Sequence, residues 1–298
     1  MRPPDLHRTV PYPDQPLAAR ADGLGPCDNG IMRSSSDGFE APALARESAV
    51  FVWTDRALFV GDRSETSLHS HHAIELCLSL DDLGIDMSAP NSPDLRCVPG
   101  AMVRAGAAHQ LNIPGPKVAV LYVDPQSDIA SSLHDWLGDR DIRALPVEVT
   151  RTQRSSFRDL LSSGSGLPQA ASACSALIAP LADEAPRAIV HWRVRRAMEQ
   201  LDAHLDAPPR LEALAAEIDI SPSRLRHMFK EQTGLPISRY VLWMRLRAAL
   251  LQALDGASMT ESAQRAGFSD AAHFTRTCRQ MFGLPPTAFT PVDSVFVA

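Results

Sequence analysis

The chain has 298 residues, enough for two domains, and carries 29 Lys+Arg against 35 Asp+Glu for a net charge of −6. That balance argues against nucleic acid for the chain as a whole; the lack of any run of roughly 18 apolar residues argues against a membrane span. The charge is unevenly spread: 14 basic and 11 acidic side chains follow Pro186, whereas 15 and 24 precede it, so a mildly basic part follows an acidic one and a polyanion stays open as a partner of the second.

The opening Met1-Arg2-Pro3-Pro4-Asp5 lacks the apolar stretch of a secretory signal. The odd set Cys27, Cys77, Cys97, Cys174 and Cys278 shows no CxxC spacing. Together they predict reduced thiols in a cytoplasmic protein. Residues 1–45 are rich in Pro, Gly, Asp and Ser with little periodicity, and are expected to form a disordered tail.

From residue 46 to 126 short β-rich runs alternate with turn residues. They are 50–54 (VFVWT), 57–61 (ALFVG), 73–80 (AIELCLSL), 95–105 (LRCVPGAMVRA) and 117–124 (KVAVLYVD). The pattern predicts a small antiparallel β-barrel or sandwich, closed at Tyr122-Val123-Asp124-Pro125. Within it stand His69, His71 and Glu75, with His109 further on. Three imidazoles and one carboxylate are a donor set suited to a first-row metal such as Zn, Fe, Mn or Ni. They suit better a polar pocket wall or strand-packing histidines.

Residues 127–186 read as helices, over 129–137, 154–162 and 168–182. In the last, Cys174, Leu177, Ile178 and Leu181 recur at i, i+3, i+4, i+7, a stripe for packing on the barrel or for dimerisation. Pro180, Asp183, Glu184 and Pro186 mark a linker. A helix over 188–205, with Val190, Val194, Ala197, Met198, Leu201 and Leu205 inward, opens a C-terminal domain over 187–292.

That domain holds two helix-turn-helix patterns. In the first, Leu211, Leu214, Ala215 and Ile218 form one apolar face, and Asp219-Ile220 make the turn. Ser221 is placed as the N-cap of the next helix, Pro222 at its first position and Gly234 as its left-handed end. Leu225, Met228 and Phe229 face inward; Ser223, Arg224, Arg226, His227 and Lys230 face outward. A helix through 240–251, with Leu242, Leu246 and Leu250 in one stripe and Arg245 and Arg247 on polar faces, leads to the second pattern. There Gly267-Phe268 make the turn, Ser269 or Asp270 caps, and Gly283 ends the helix. Phe274, Cys278 and Met281 face inward; Ala271, Ala272, His273, Thr275, Arg276 and Arg279 face outward.

Lone helix pairs often bind no DNA, but two joined by a long helix can place two readers in successive major-groove segments. Arginine suits base reading because its fork pairs with guanine O6/N7. The stretches LAAEIDISPSRLRHMFKEQTG and AGFSDAAHFTRTCRQMFGLPPTAF resemble the DNA-binding domain of the AraC/XylS family of bacterial transcription regulators. Ala263, Gly267, Phe268, Phe274, Arg276, Arg279, Gly283 and Pro286 carry the likeness; Cys278 stands where relatives have Phe, Ala271 and Ala272 where they often have longer polar side chains, and Thr290 where they have Arg. The barrel segment resembles the cupin fold through His69, His71, Glu75 and His109.

The resemblance implies an α+β chain: a cupin-like sensor barrel over 46–126, a helical dimerisation or linker region over 127–186, and a DNA-binding domain over 187–292. It implies that Ser223, Arg224, Arg226, His227, Lys230, Ala272, His273, Arg276 and Arg279 meet double-stranded DNA. The partners expected are a small-molecule effector in the barrel, a second copy of the chain and, for an activator, RNA polymerase. No cofactor is required, although the His69, His71, Glu75, His109 set leaves a metal open. The protein is expected not to be an enzyme. The alternatives are a metal-dependent cupin enzyme or metal sensor with an attached DNA-binding module, and a constitutive regulator whose barrel serves only dimerisation.

Overall fold

The computed structural model describes residues 47–62, 65–162, 165–182, 191–289 and 293–298. The expected tail, Cys27, the linker at 183–190 and Thr290 lie outside them. The elements of the first half are β1 (Ala49–Val52), β2 (Arg56–Gly61), β3 (Ile74–Ser79), β4 (Ile85–Ala89), β5 (Ser92–Val98), β6 (Gly100–Val103), β7 (Gln110–Asn112), β8 (Val118–Val123), α1 (Ala130–Leu137), β9 (Ile142–Ala144), α2 (Val147–Asp159) and α3 (Leu167–Ile178). Those of the second are α4 (Trp192–Ala203), α5 (Leu211–Glu217), α6 (Pro222–Thr233), α7 (Ile237–Leu254), α8 (Met259–Arg265), α9 (Ala271–Phe282) and a final strand, β10 (Ser294–Val297).

A seven-stranded sheet, ordered β10-β1-β2-β8-β3-β6-β9, faces a three-stranded sheet, β5-β4-β7. Alternation along the strands separates two cores. Cys77, Val103, Val120 and Val118 point toward Ile85, Met87 and Leu111 of the small sheet. Leu76, Leu78, Met102 and Leu121 point the other way, against Leu133 of α1, Phe157 of α2 and Cys174 and Leu177 of α3. With both faces covered, β3 is buried along its whole length, which is why it reads as a continuous apolar run.

Two expectations are corrected here. The run 95–105 is two strands in two sheets, because Pro99 breaks it between β5 and β6. The barrel does not end at 126: β9, inside the expected helical region, pairs with β6. Beyond the expected domain over 187–292 the chain returns to the barrel, where β10 pairs with β1 in parallel. The stripe Cys174, Leu177, Ile178, Leu181 is buried in the barrel's own outer core, the packing alternative of the two expected for it.

The C-terminal domain has two cores. Val194, Ala197 and Leu201 of α4 join Leu214, Ala215 and Ile218 of α5 and Leu225 and Phe229 of α6 around the first unit. Leu246, Ala249 and Leu250 of α7 join Ala263, Phe268, Phe274, Cys278 and Phe282 around the second. Helix α7 contributes to both, so its 18 residues, about 27 Å of rise, fix the spacing of the two units.

Candidate functional site

The first recognition helix begins as the sequence predicts. The Ser221 hydroxyl accepts from the Arg224 amide at 3.2 Å, Pro222 takes the first helical position, and Gly234 closes the helix at φ 74°. Asp219 takes the tight turn with φ 54°. Ser223, Arg224, Arg226, His227 and Lys230 are all exposed on one side of α6. In the second unit Asp270, rather than Ser269, is the cap: its Oδ1 accepts from the His273 amide at 2.6 Å. That bond, with one from Ser269, holds the Asp270 carboxyl below its usual range.

Ala272, Arg276 and Arg279 are exposed on α9. His273 is only half exposed, its ring edge-on to Phe268 at 5.2 Å and its Nδ1 3.3 Å from the Ser269 hydroxyl. The short Ala271 and Ala272 leave the start of α9 able to approach a groove closely, with thymine methyl contact as the chemistry available to them.

The linker-helix arginines do not sit on polar faces. The Arg245 Nε donates to the Leu205 carbonyl at 2.7 Å, tying α7 to the α4–α5 turn. The Arg247 Nη2 donates to the carbonyls of Trp53 and Thr54, both at 3.0 Å, tying α7 to the barrel. Sequence gave no sign of the second contact because its partners lie almost two hundred residues away and are backbone atoms.

The barrel cluster forms as expected and lies against the second unit. The ligand atoms of His69, His71, Glu75 and His109 lie within 4.8 Å of one another, and all four residues are buried. Glu75 projects from β3 with its Oε2 2.7 Å from His71 Nε2 and 3.5 Å from His109 Nε2. Its Oε1 accepts from the Cys77 thiol at 2.7 Å. His69 and His109 are held opposite each other by a pair of backbone bonds, 3.0 and 2.9 Å.

Each imidazole engages a backbone carbonyl through Nδ1: His69 to Ser67 at 2.8 Å, His71 to Ala73 at 2.9 Å, His109 to Ala107 at 3.1 Å. Carbonyls only accept, so all three Nδ1 atoms carry the hydrogen and the three Nε2 atoms face inward. His71 Nε2 and the Glu75 carboxylate share a proton at 2.7 Å, and His109 Nε2 stands 3.5 Å from the same oxygen, beyond a good hydrogen bond. Burial, with the charge of His109, drops the His69 pKa to about 3. Burial opposes charge on Glu75, but its histidine neighbours outweigh it and hold the carboxyl well below the usual range. Burial likewise opposes the His109 proton, and the Glu75 carboxylate outweighs it, raising that pKa. The residues fit a divalent cation: three nitrogens and a carboxylate, each oriented from behind.

The two domains meet here. The Ser67 amide and hydroxyl donate to the Gly283 carbonyl at 3.3 and 3.1 Å, and the Ser70 amide to that of Gln280 at 3.3 Å. The His71 ring lies 6.0 Å from Phe282 and 6.3 Å from Trp243. Beside it a cavity of about 120 Å³ opens between barrel and α7, lined by Val52, Phe59, Tyr122, Trp243, Leu251 and Phe282 among others.

These features define a class: a double helix-turn-helix domain docked on a two-sheet β-barrel. Residues 214–290 match the family described as a helix-turn-helix domain. The chain is similar to the HTH-type transcriptional activator RhaR of Pectobacterium carotovorum, 36% identical over 93 residues, covering 31% of this chain and 33% of that protein. It is similar to the HTH-type transcriptional regulator GbdR of Pseudomonas aeruginosa, 34% identical over 87 residues, covering 29% of this chain and 24% of that one. The matched part thus spans about a third or less of these relatives' length. Two ToxT structures from Vibrio cholerae share the fold across both domains. One has a TM-score of 0.54 at 10% identity and covers 79% of this chain and 96% of that one. The other, bound to an unsaturated fatty acid, has a TM-score of 0.52 at 11% identity and covers 80% and 95%. The likeness to these helix-turn-helix transcription regulators thus lies in the C-terminal domain.

Proposed function

We propose that this protein is a sequence-specific, effector-controlled transcription regulator of the cytoplasm, acting on double-stranded DNA. The observation that carries the reading is the pair of exposed faces, Ser223, Arg224, Arg226, His227 and Lys230 on α6 and Ala272, His273, Arg276 and Arg279 on α9, spaced by one helix. Its rise of about 27 Å is commensurate with the roughly 34 Å between successive major-groove segments. Selection of genomic fragments by the purified chain, followed by footprinting, tests it: two half-elements about one helical turn apart are expected. Arg226→Ala and Arg276→Ala should each weaken the selected site by roughly 5- to 150-fold, the worth of a bidentate base contact, with unchanged circular dichroism. Unchanged affinity in both variants would defeat the residue assignment.

The effector is a small apolar molecule in the cavity between barrel and α7, where an occupant touches both domains. In that arrangement the barrel senses and does not catalyse, and the protein is not an enzyme. Two copies act together, through a surface other than the α3 stripe, and an activating copy meets RNA polymerase. Light scattering with and without DNA tests the dimer: a monomer in both states rules it out.

A second reading is favoured by the convergence of four buried donor atoms within 4.8 Å: His69, His71, Glu75 and His109 hold a divalent first-row cation, which makes the barrel a metal sensor. The cation would displace the proton shared by His71 and Glu75 and supply the positive charge that the buried carboxylate calls for. Elemental analysis after exhaustive dialysis tests it, and a stoichiometry near zero would sink it.

A further inference from the structure

We propose that a cation on His69, His71, Glu75 and His109 fastens the second helix-turn-helix unit to the barrel, so that metal occupancy sets where one of the two DNA readers sits. The inference rests on the metal reading of the cluster and adds what the metal controls.

The ligands come from three separate segments: the loop through 65–72, strand β3, and the turn before β7. A cation would join them at one point. The same loop bonds the end of α9, through Ser67 to Gly283 and Ser70 to Gln280. There is no slack between ligand and helix end. A Cβ on Gly283 would stand 2.8 Å from His69 Nδ1 and 2.7 Å from the Ser67 carbonyl that orients that ring. A second ligand, His71, packs on Phe282, the last residue of α9. Movement of either ring toward or away from a cation therefore displaces the C-terminal end of the second recognition helix. The loop reaches the first unit only indirectly among the described residues: His72 lies edge-on to Tyr240 at 5.8 Å, in the core where α5 and α6 pack with α4 and the start of α7, and no described backbone bond joins the loop to α6.

The test uses the full-length chain, stripped with chelator and then given Zn²⁺, Ni²⁺ or Mn²⁺ alone. Metal content and amide hydrogen exchange are read on the same samples. The expectation is about one equivalent retained for at least one ion, with exchange slowed about tenfold in 65–72 and 280–284 and little changed in 221–234. His109→Gln should lose both retention and slowing. Phe282→Leu keeps the ligand set, so it should retain the ion while the slowing in 280–284 shrinks. Retention by the wild type without slowing in 280–284 would leave the metal site standing and overturn its control of the helix. Equal slowing in 221–234 would mean general stabilisation and overturn it as well. No retention of any of the three ions would overturn both readings.

Discussion

Gly234 and Gly283 end the two recognition helices with the same left-handed turn, at φ 74° and 69°. From sequence they are equivalent. In the folded chain nothing lies within 4 Å of a Cβ built on Gly234, whereas one on Gly283 meets Ser67, His69 and Thr66 at 2.7–2.9 Å. Gly234→Ala should then cost only the left-handed strain, about 1–2 kcal/mol. Gly283→Ala adds a clash with backbone and with the His69 ring, and should cost roughly 2–4 kcal/mol in total. Urea unfolding of both variants measures the difference, and equal losses would show that the loop through Ser67 yields freely. Cys278 illustrates the opposite case: fully buried beside Phe274 and Met281, it fills a position where relatives carry Phe without altering the fold.

Among the elements, β10 has the largest consequence for so short a segment. It extends the sheet beyond β1 with four registered residues, Ala49 to Ser294 through Val52 to Val297. Phe296 stacks on Phe51 at 4.8 Å, and the Asp293 carboxylate accepts from the amides of Glu47 and Ser48 at 2.6 and 2.8 Å. Without it, the apolar β1 becomes an open sheet edge. Deleting 293–298 should lower stability by about 1–2 kcal/mol, the worth of one partly buried aromatic, and raise the tendency to aggregate. Thermal unfolding with light scattering checks both; an unchanged midpoint would show that the strand contributes nothing to the barrel. Helix α7 is the other element whose role exceeds its pattern. Its weak amphipathicity follows from use on several sides: Tyr240 and Val241 enter one core, Leu246 and Leu250 another, and Leu251 and Leu254 lean on the barrel.

At the scale of the molecule, charge decides how DNA binding depends on conditions. The domain after Pro186 is only mildly basic, and Arg224, Arg226, Lys230, Arg276 and Arg279 are exposed on its two readers. Three to five of them on phosphates give a slope of log affinity against log salt of about −2.7 to −4.5. Affinity for the selected site should thus fall roughly 40- to 500-fold between about 50 and 200 mM salt, measured by fluorescence anisotropy. A flat response would remove these side chains from the phosphate backbone. The acidic barrel is bonded to this reader at Gly283, Gln280 and Arg247, so the unlike charges of the two halves sit in one folded unit.

The sequence by itself determined what depends on neighbours a few residues apart. The cap at Ser221, the turns at Asp219 and Gly267, the glycine ends of α6 and α9 and the inward faces of both units are local in origin, whereas the choice of Asp270 over Ser269 as the second cap came from the structure. Each is set by a hydrogen bond or a packing period within one or two helical turns. The donor types of the barrel cluster were legible too, because they fall in one short motif with a single later histidine. Strands β4, β7 and β9 were not, being short and paired only through residues distant in the chain. The parallel return of β10, the grip of Arg247 on two carbonyls, and the contact of His69 with the end of α9 were decided by tertiary structure alone. Long-range pairing joins segments whose own composition carries no mark of the partner, and here it is what connects the sensor to the reader.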